Sequence, residues 1–134
     1  MFGRFGVTPN DIAQGSIGNC WIMVALSALA EYPERIENIF HNREISQAGF
    51  YAVNIYALGV PYTTYIDDQL PHRYDGQLLF ANVGSDDSIW GPLLEKTIAK
   101  YTGNYWHLHK GLNPDGIGFF NGSPDYSFEH WQEL

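Results

Sequence analysis

The run CWIMVALSALAEY, Cys20 to Tyr32, holds neither glycine nor proline and is followed at once by Pro33. Good helix formers without a breaker predict a helix over these residues. The run is apolar nearly all round, so its helix must be buried on most sides and the rest of the chain must wrap it. Its longest apolar stretch, Trp21 to Ala30, interrupted by Ser27, falls far short of the ~20 residues that span a bilayer. With 134 residues, 45% of them hydrophobic and 16% aromatic, the chain has enough material for the wrapping. A chain of this size buries about two-thirds of its unfolded surface, which predicts one compact domain over residues 1–134.

The segments around this helix punctuate themselves. Gly18 and Asn19 supply its N-terminal stop and cap. Met1 to Gly18 reads as loop with a short helical turn near Asp11. Pro33 to Phe40 places Ile36, Ile39 and Phe40 at helical spacing. Tyr51 to Leu58 and Tyr62 to Asp67 are rich in β-branched and aromatic residues, with Gly59, Val60 and Pro61 between them as a turn, so a hairpin is predicted. A second long helix is predicted from Ile89 to Tyr101, with Leu93, Leu94 and Ile98 on its buried face and Asp86, Asp87 and Ser88 suited to its first turn. Thr102 to Ser127, rich in glycine, reads as mostly loop. The class is mixed α/β (α+β): a buried central helix, a second long helix, a small antiparallel sheet and many loops.

Charge and cysteine count exclude several function classes. The net charge is −8, and no run of Lys or Arg exists. A phosphate-binding surface needs clustered cations, so a nucleic-acid partner is not expected. The acidic excess suits solubility and is compatible with a cation requirement. A single cysteine forms no internal disulfide, and Met1 to Asn10 lacks an apolar core of the secretory kind; a reducing, cytoplasmic setting is expected.

That single cysteine stands where a thiol nucleophile would. Cys20 opens the predicted central helix, and a helix N-terminus favours the thiolate, the reactive form. Attack on a carbonyl creates an oxyanion that needs aimed donors. Gln14 lies upstream across a glycine-bearing loop, from which its amide can turn back toward Cys20; the Cys20 backbone N–H is a second donor. The glycines allow close backbone approach. The competing reading is an inert cysteine buried at the start of an apolar helix.

The string Gln14-Gly15-Ser16-Ile17-Gly18-Asn19-Cys20-Trp21 resembles the calpain signature Gln-Gly-x-Leu-Gly-Asp-Cys-Trp, itself related to the papain-type Gln…Cys-Trp pattern. The resemblance continues in order. Tyr65 to Pro71 (YIDDQLP) is similar to the family's Val-Asp-Asp-x-Leu-Pro segment. Asp75-Gly76-Gln77-Leu78 is similar to its Asp-Gly-x-Leu. Ile89 to Lys96 (IWGPLLEK) is similar to its Trp-x-x-Leu-Leu-Glu-Lys-Ala helix, and Phe119 to Leu134 resembles the segment closing the first protease subdomain. The resemblance implies a papain-like first lobe of an intracellular cysteine endopeptidase acting on protein substrates. Cys20 would be the nucleophile and Gln14 the oxyanion donor. Trp21 would pack the start of the central helix.

The same resemblance implies a second subdomain carrying the activating His and Asn, in Gly-His-Ala and Asn-Pro-Trp-Gly contexts that this sequence lacks. Asn113-Pro114-Asp115-Gly116, with His107 and His109 nearby, is read as a turn rather than a catalytic site. His41, His72 and His130 are read as surface or structural. A nucleophile without its base loses most of its activation, so residues 1–134 alone are expected to be inactive or nearly so. The alternative is a non-catalytic calpain-like binding or regulatory module.

Calcium-dependent members hold Ca²⁺ with two backbone carbonyls, an Asp upstream of the Cys motif and a Glu just before the second long helix. Asp11 takes the Asp position, the carbonyls fall near Arg4 and Gly6, and the Glu position is Ser88. A hydroxyl is a poorer ligand than a carboxylate. Pro9 stands where calcium-coupled members carry an Arg. Asp86 or Asp87 could stand in as the carboxylate, the competing reading for both being a solvated helix start; Gly6, Asp11 and Asp87 are the candidate calcium ligands.

Overall fold

The computed structural model describes residues 1–124. The expected resemblance of Phe119–Leu134 to a closing segment, and His130, lie largely or wholly outside them. The central helix α1 runs Cys20–Ala30. It stops before Tyr32, because Pro33 forces the preceding residue to be extended: Tyr32 has φ −124° and ψ 95°. Helix α2 then covers only Pro33–Glu37, and Phe40 leaves the helical path to bridge Val53 of the sheet.

Strands β1 (Phe50–Ala57) and β2 (Val60–Asp67) form the expected antiparallel hairpin. Ala57 faces Val60, so the turn is the pair Leu58–Gly59, one step earlier than the Gly59–Pro61 expectation. Both turn residues have positive φ, 51° and 79°, the two-residue hairpin turn whose twist matches that of the strands. Tyr51, Val53 and Ile55 alternate into the core, joined from β2 by Thr64 and Ile66.

Helix α3 runs Trp90–Thr102, and Leu93, Leu94 and Ile98 are buried as their spacing predicts. Asp86, Asp87 and Ser88 do not form its first turn. They lie in the preceding loop, with Asp87 at φ 67°, and Ile89 occupies the cap position. The main departure from expectation follows. Tyr105–Leu108 is a 3₁₀ turn, and Asn113–Asn121 is a helix, α4, rather than loop. Pro114 sits at its start, where the missing N–H costs nothing, and Asp115 accepts the Leu112 N–H at 3.3 Å. Gly116 is not a turn glycine: a Cβ there would lie 2.7 Å from the Ala25 Cβ, so it lets α4 press against α1.

One hydrophobic core joins α1, the sheet, α3 and α4, with Ile22, Leu26, Ile36, Val53, Ile55, Trp90 and Leu93 among its buried members. No helix among the described residues is long and apolar enough to cross a membrane.

Candidate active site

Cys20 is exposed. The helix it opens is buried along Ile22, Met23, Ala25, Leu26, Leu29 and Ala30, but Cys20, Val24 and Ala28 form a stripe turned outward. Cys20 is therefore not buried, as the competing reading expected: it meets solvent at the N-terminus of a helix of 11 residues.

Two segments hold the loop before it. On one side Ser16 N–H donates to Leu79 O at 3.2 Å and Asn82 N–H donates to Ala13 O at 2.9 Å. Gly15 is pressed so closely here that a Cβ would stand 1.8 Å from the Phe80 carbonyl oxygen. On the other side lies the 105–111 segment. Trp21 Nε1–H donates to Leu108 O at 2.9 Å, and Gly111 fits against the Trp21 ring. The His109 ring lies over Gly18, 2.7 Å from where a Cβ would be, and stacks on Trp106 at 5.7 Å.

Gln14 is brought back along this loop. Its Nε2 donates to Ile17 O at 2.8 Å, the same carbonyl that accepts the Asn19 N–H at 2.9 Å. Asn19 stands at the helix cap position, but its side chain caps nothing. It turns inward instead, and Nδ2 donates to Glu95 Oε1 of α3. Glu95 Oε2 accepts the Ala81 N–H at 2.9 Å. This fully buried carboxyl therefore ties the residue before Cys20 to α3 and to the 79–82 segment. Burial pushes its pKa above the ordinary glutamate range, against the opposing pull of the Ala81 and Asn19 donors. In the sequence Glu95 is one letter of a helical run. No local signal marks its pairing with a residue 76 positions away.

The groups assigned to calcium divide. Asp11 is buried and already accepts three hydrogen bonds: Thr8 N–H at 2.8 Å, Thr8 Oγ–H at 2.8 Å and Trp90 Nε1–H at 2.9 Å. Of the roughly four lone-pair sites a carboxylate offers, one stays open. Ser88 Oγ is buried beside Gly84, which also abuts Asp11, and it has no hydrogen-bond partner among the described residues. Asp87 turns to solvent and pairs with Arg4 at 3.5 Å. Asp86 is used structurally. It receives the Phe5 N–H at 3.3 Å and the Ser88 N–H at 3.2 Å, and Gly3 is packed against its carboxylate. Burial works against its charge, but these donors outweigh it and hold the carboxyl below the ordinary aspartate range. Among the described residues no group of three or more His, Cys, Asp or Glu side chains is placed to hold a metal ion, and Asp87, one of the expected ligands, faces Arg4 instead.

The histidines find other partners. His41 hydrogen-bonds Asn54 at 2.7 Å, His72 meets Gly76 O at 3.0 Å and His107 meets Thr102 O at 2.6 Å.

Comparison with known proteins relates the sequence to one family. The sequence profile described as calpain family cysteine protease matches residues 1–133. The chain is similar to the calpain-2 catalytic subunit of Homo sapiens, 32% identical over 132 residues, which is 96% of this chain and 18% of that protein. It is also similar to the calpain-1 catalytic subunit of Gallus gallus, 33% identical over 120 residues, or 87% of this chain and 17% of that protein. The chain thus spans under a fifth of the length of these relatives.

Proposed function

Because the chain belongs to the calpain family of cysteine proteases, we propose that it carries the nucleophile of an endopeptidase core, with Cys20 as the attacking thiol. The observation that carries this reading is the exposed Cys20 at the start of a helix that is otherwise buried, with the Gln14 loop folded beside it.

The chemistry assigned to these residues is acyl transfer. The Cys20 thiolate adds to a peptide carbonyl, and the resulting oxyanion accepts from the Cys20 N–H and the Gln14 side-chain amide. Gln14 has a second N–H besides the one given to Ile17, so the oxyanion role does not require its present bond to break. The amine leaves with a proton, an acyl-thioester remains on Cys20, and water hydrolyses it. The proton must come from a histidine of a second subdomain, with an asparagine orienting it. Protein substrates would lie across the cleft between the two parts.

Calcium enters this reading as a weakly held ion. Asp11, the carbonyls of Arg4 and Gly6 and the Ser88 hydroxyl would hold it, and Asp87 joins only by leaving Arg4. Its contribution would be to stiffen the N-terminal loop. A titration by calorimetry is expected to give a Kd of about 10⁻⁴–10⁻³ M.

The test is peptidase activity on casein, using residues 1–134 alone and then mixed with a calpain second subdomain, each with calcium or chelator. Activity only in the mixture, lost in Cys20→Ala, supports the protease reading. No activity in any arm, with the mixed complex shown to form, rejects it.

The second reading is a non-catalytic calpain-like binding or regulatory module. A module of that kind would retain its partners unchanged in a Cys20→Ala pull-down.

A further inference from the structure

The residue immediately before the proposed nucleophile is held by a buried acid with no counter-ion. Asn19 has no exposed surface and Glu95 is 1% exposed, yet among the described residues Glu95 makes no ion pair. Its two partners are neutral, the Asn19 amide and the Ala81 N–H. The Asn19 side chain is only half used: Nδ2 donates to Glu95, while the buried Oδ1 accepts nothing from the described residues. An unsatisfied carbonyl of this kind costs free energy that a simple turn of the amide can exchange for a different bond. With Glu95 ionised, Nδ2 must face it. With Glu95 protonated, the amide turned by half a circle presents Oδ1, which accepts the new carboxyl O–H, while Oε2 keeps the Ala81 N–H. Each state pairs one end of the amide and leaves the other unpaired, so the two are close in energy and the proton decides between them.

The remaining groups around this carboxyl do not compete for that role. Tyr105, on the 3₁₀ turn facing it, is held neutral: burial pushes its phenol far up, and the charges of Glu95 and Asp67 push it further. Tyr105 is also fixed by stacking on Phe80 at 4.0 Å. Lys96, next along α3, turns to Asp67 and Gln69. The proton comes from and returns to solvent. Cys20 is the titratable group joined to Glu95 through Asn19.

We propose that Glu95 is a positioning residue for Cys20: by gaining or losing a proton it switches its hydrogen bond with the Asn19 side chain, and so sets the seat of the nucleophile's helix and the charge the thiol feels. This rests on the reading of Cys20 as nucleophile. Ionised Glu95 opposes a second negative charge nearby; protonated Glu95 does not. The pair thus couples solution pH to thiol reactivity at a site whose charge no cation buffers. Burial favours the protonated form beyond the ordinary glutamate range, which extends the switch toward neutral pH.

Glu95→Gln isolates the effect, because glutamine copies the protonated state: Nε2 donates to Asn19 Oδ1 and Oε1 accepts from Ala81. The experiment measures iodoacetamide alkylation of Cys20 from acid to alkaline pH in residues 1–134, wild type and Glu95→Gln, and follows the Asn19 side-chain amide of both by nitrogen-15 NMR. In Glu95→Gln the alkylation of Cys20 is expected to be faster than in wild type at pH values where Glu95 is ionised, because a like charge has been removed. The wild-type Asn19 amide should move with a single midpoint above that of an ordinary glutamate, and the variant's should not move there. Superimposable alkylation profiles, or a wild-type Asn19 amide that stays fixed through the range, overturn the proposal. The wild-type resonance titration decides even where the variant does not fold. It also separates the two readings: it needs no reactive thiol, so a Cys20 inert at every pH sinks the nucleophile reading while the Asn19 titration still reports on the switch.

Discussion

The Asp11 carboxylate accepts the indole N–H of Trp90 at 2.9 Å, and both residues are buried. This bond joins the turn just upstream of the Cys20 loop to the first residue of α3. Removing the acceptor strands a buried N–H as well as two Thr8 donors. Asp11→Ala is expected to cost about 2–3 kcal/mol, read as a lowered urea midpoint with an unchanged slope. Trp90→Phe removes the donor and also leaves a cavity, since Trp90 is fully buried, so it is expected to cost about 2–4 kcal/mol.

Gly15 tests the seat of the Gln14 loop. Its missing Cβ is what lets Phe80 O approach, and the obstacle is backbone rather than a flexible side-chain tip. Gly15→Ala must push the loop off the 79–82 segment. The expected loss is about 1–3 kcal/mol, with faster hydrogen exchange at the Ser16 N–H, whose acceptor is Leu79 O. Exchange at Ser16 as slow as wild type would contradict this account of the loop.

Glu95 carries a stability consequence separate from its role at the thiol. Its carboxyl is raised in the folded chain, so the native state holds this proton more tightly than the unfolded one. The contribution is full below the ordinary glutamate pKa and is lost as pH rises through the folded value. Glu95→Gln should therefore melt a few degrees above wild type at neutral to mildly alkaline pH, and the gap should close toward pH 4. Calorimetric melts at several pH values would show it; a constant gap would not be consistent with the linkage.

Lys96 and Asp67 give the opposite sign. The Lys96 ammonium bonds the Asp67 carboxylate, and this bond, aided by the Gln69 N–H, holds the acid below its ordinary value. Its contribution is present above the unfolded aspartate pKa and is lost as pH falls below it. Because the Asp67 side chain is 46% exposed, solvent screening keeps the effect small. Lys96→Ala should cost under about 1 kcal/mol at pH 7, and the difference from wild type should shrink as pH falls below the ordinary aspartate range in acid unfolding.

Trp21 Nε1–H holds Leu108 O, and that bond fastens the 105–111 segment beside Cys20. Trp21→Phe is expected to cost about 1 kcal/mol. The informative readout is local: hydrogen exchange should quicken at the Lys110 N–H, which is bonded to Leu108 O as well, while the α1 amides stay protected.

Local chemistry determined much of this protein. The run from Cys20 onward had to be a helix because it holds no breaker before Pro33, and the Gln14–Trp21 string sets the single thiol at its start. The alternation of Tyr51, Val53 and Ile55 and the leucines of α3 likewise placed themselves, since side-chain period and backbone period are the same local fact. What the tertiary structure alone decided was everything that depends on a distant partner. Asn113–Gly116 has the composition of a turn, yet it starts a helix, because Gly116 can meet Ala25 with no Cβ between them. Asp86 looks like a helix cap and instead anchors the N-terminal loop at Phe5. Asn19 is cap-like in sequence but spends its amide on Glu95. In each case a propensity worth a few tenths to about one kcal/mol yielded to burial and long-range hydrogen bonding worth more, and such bonds leave no trace in the order of neighbouring residues.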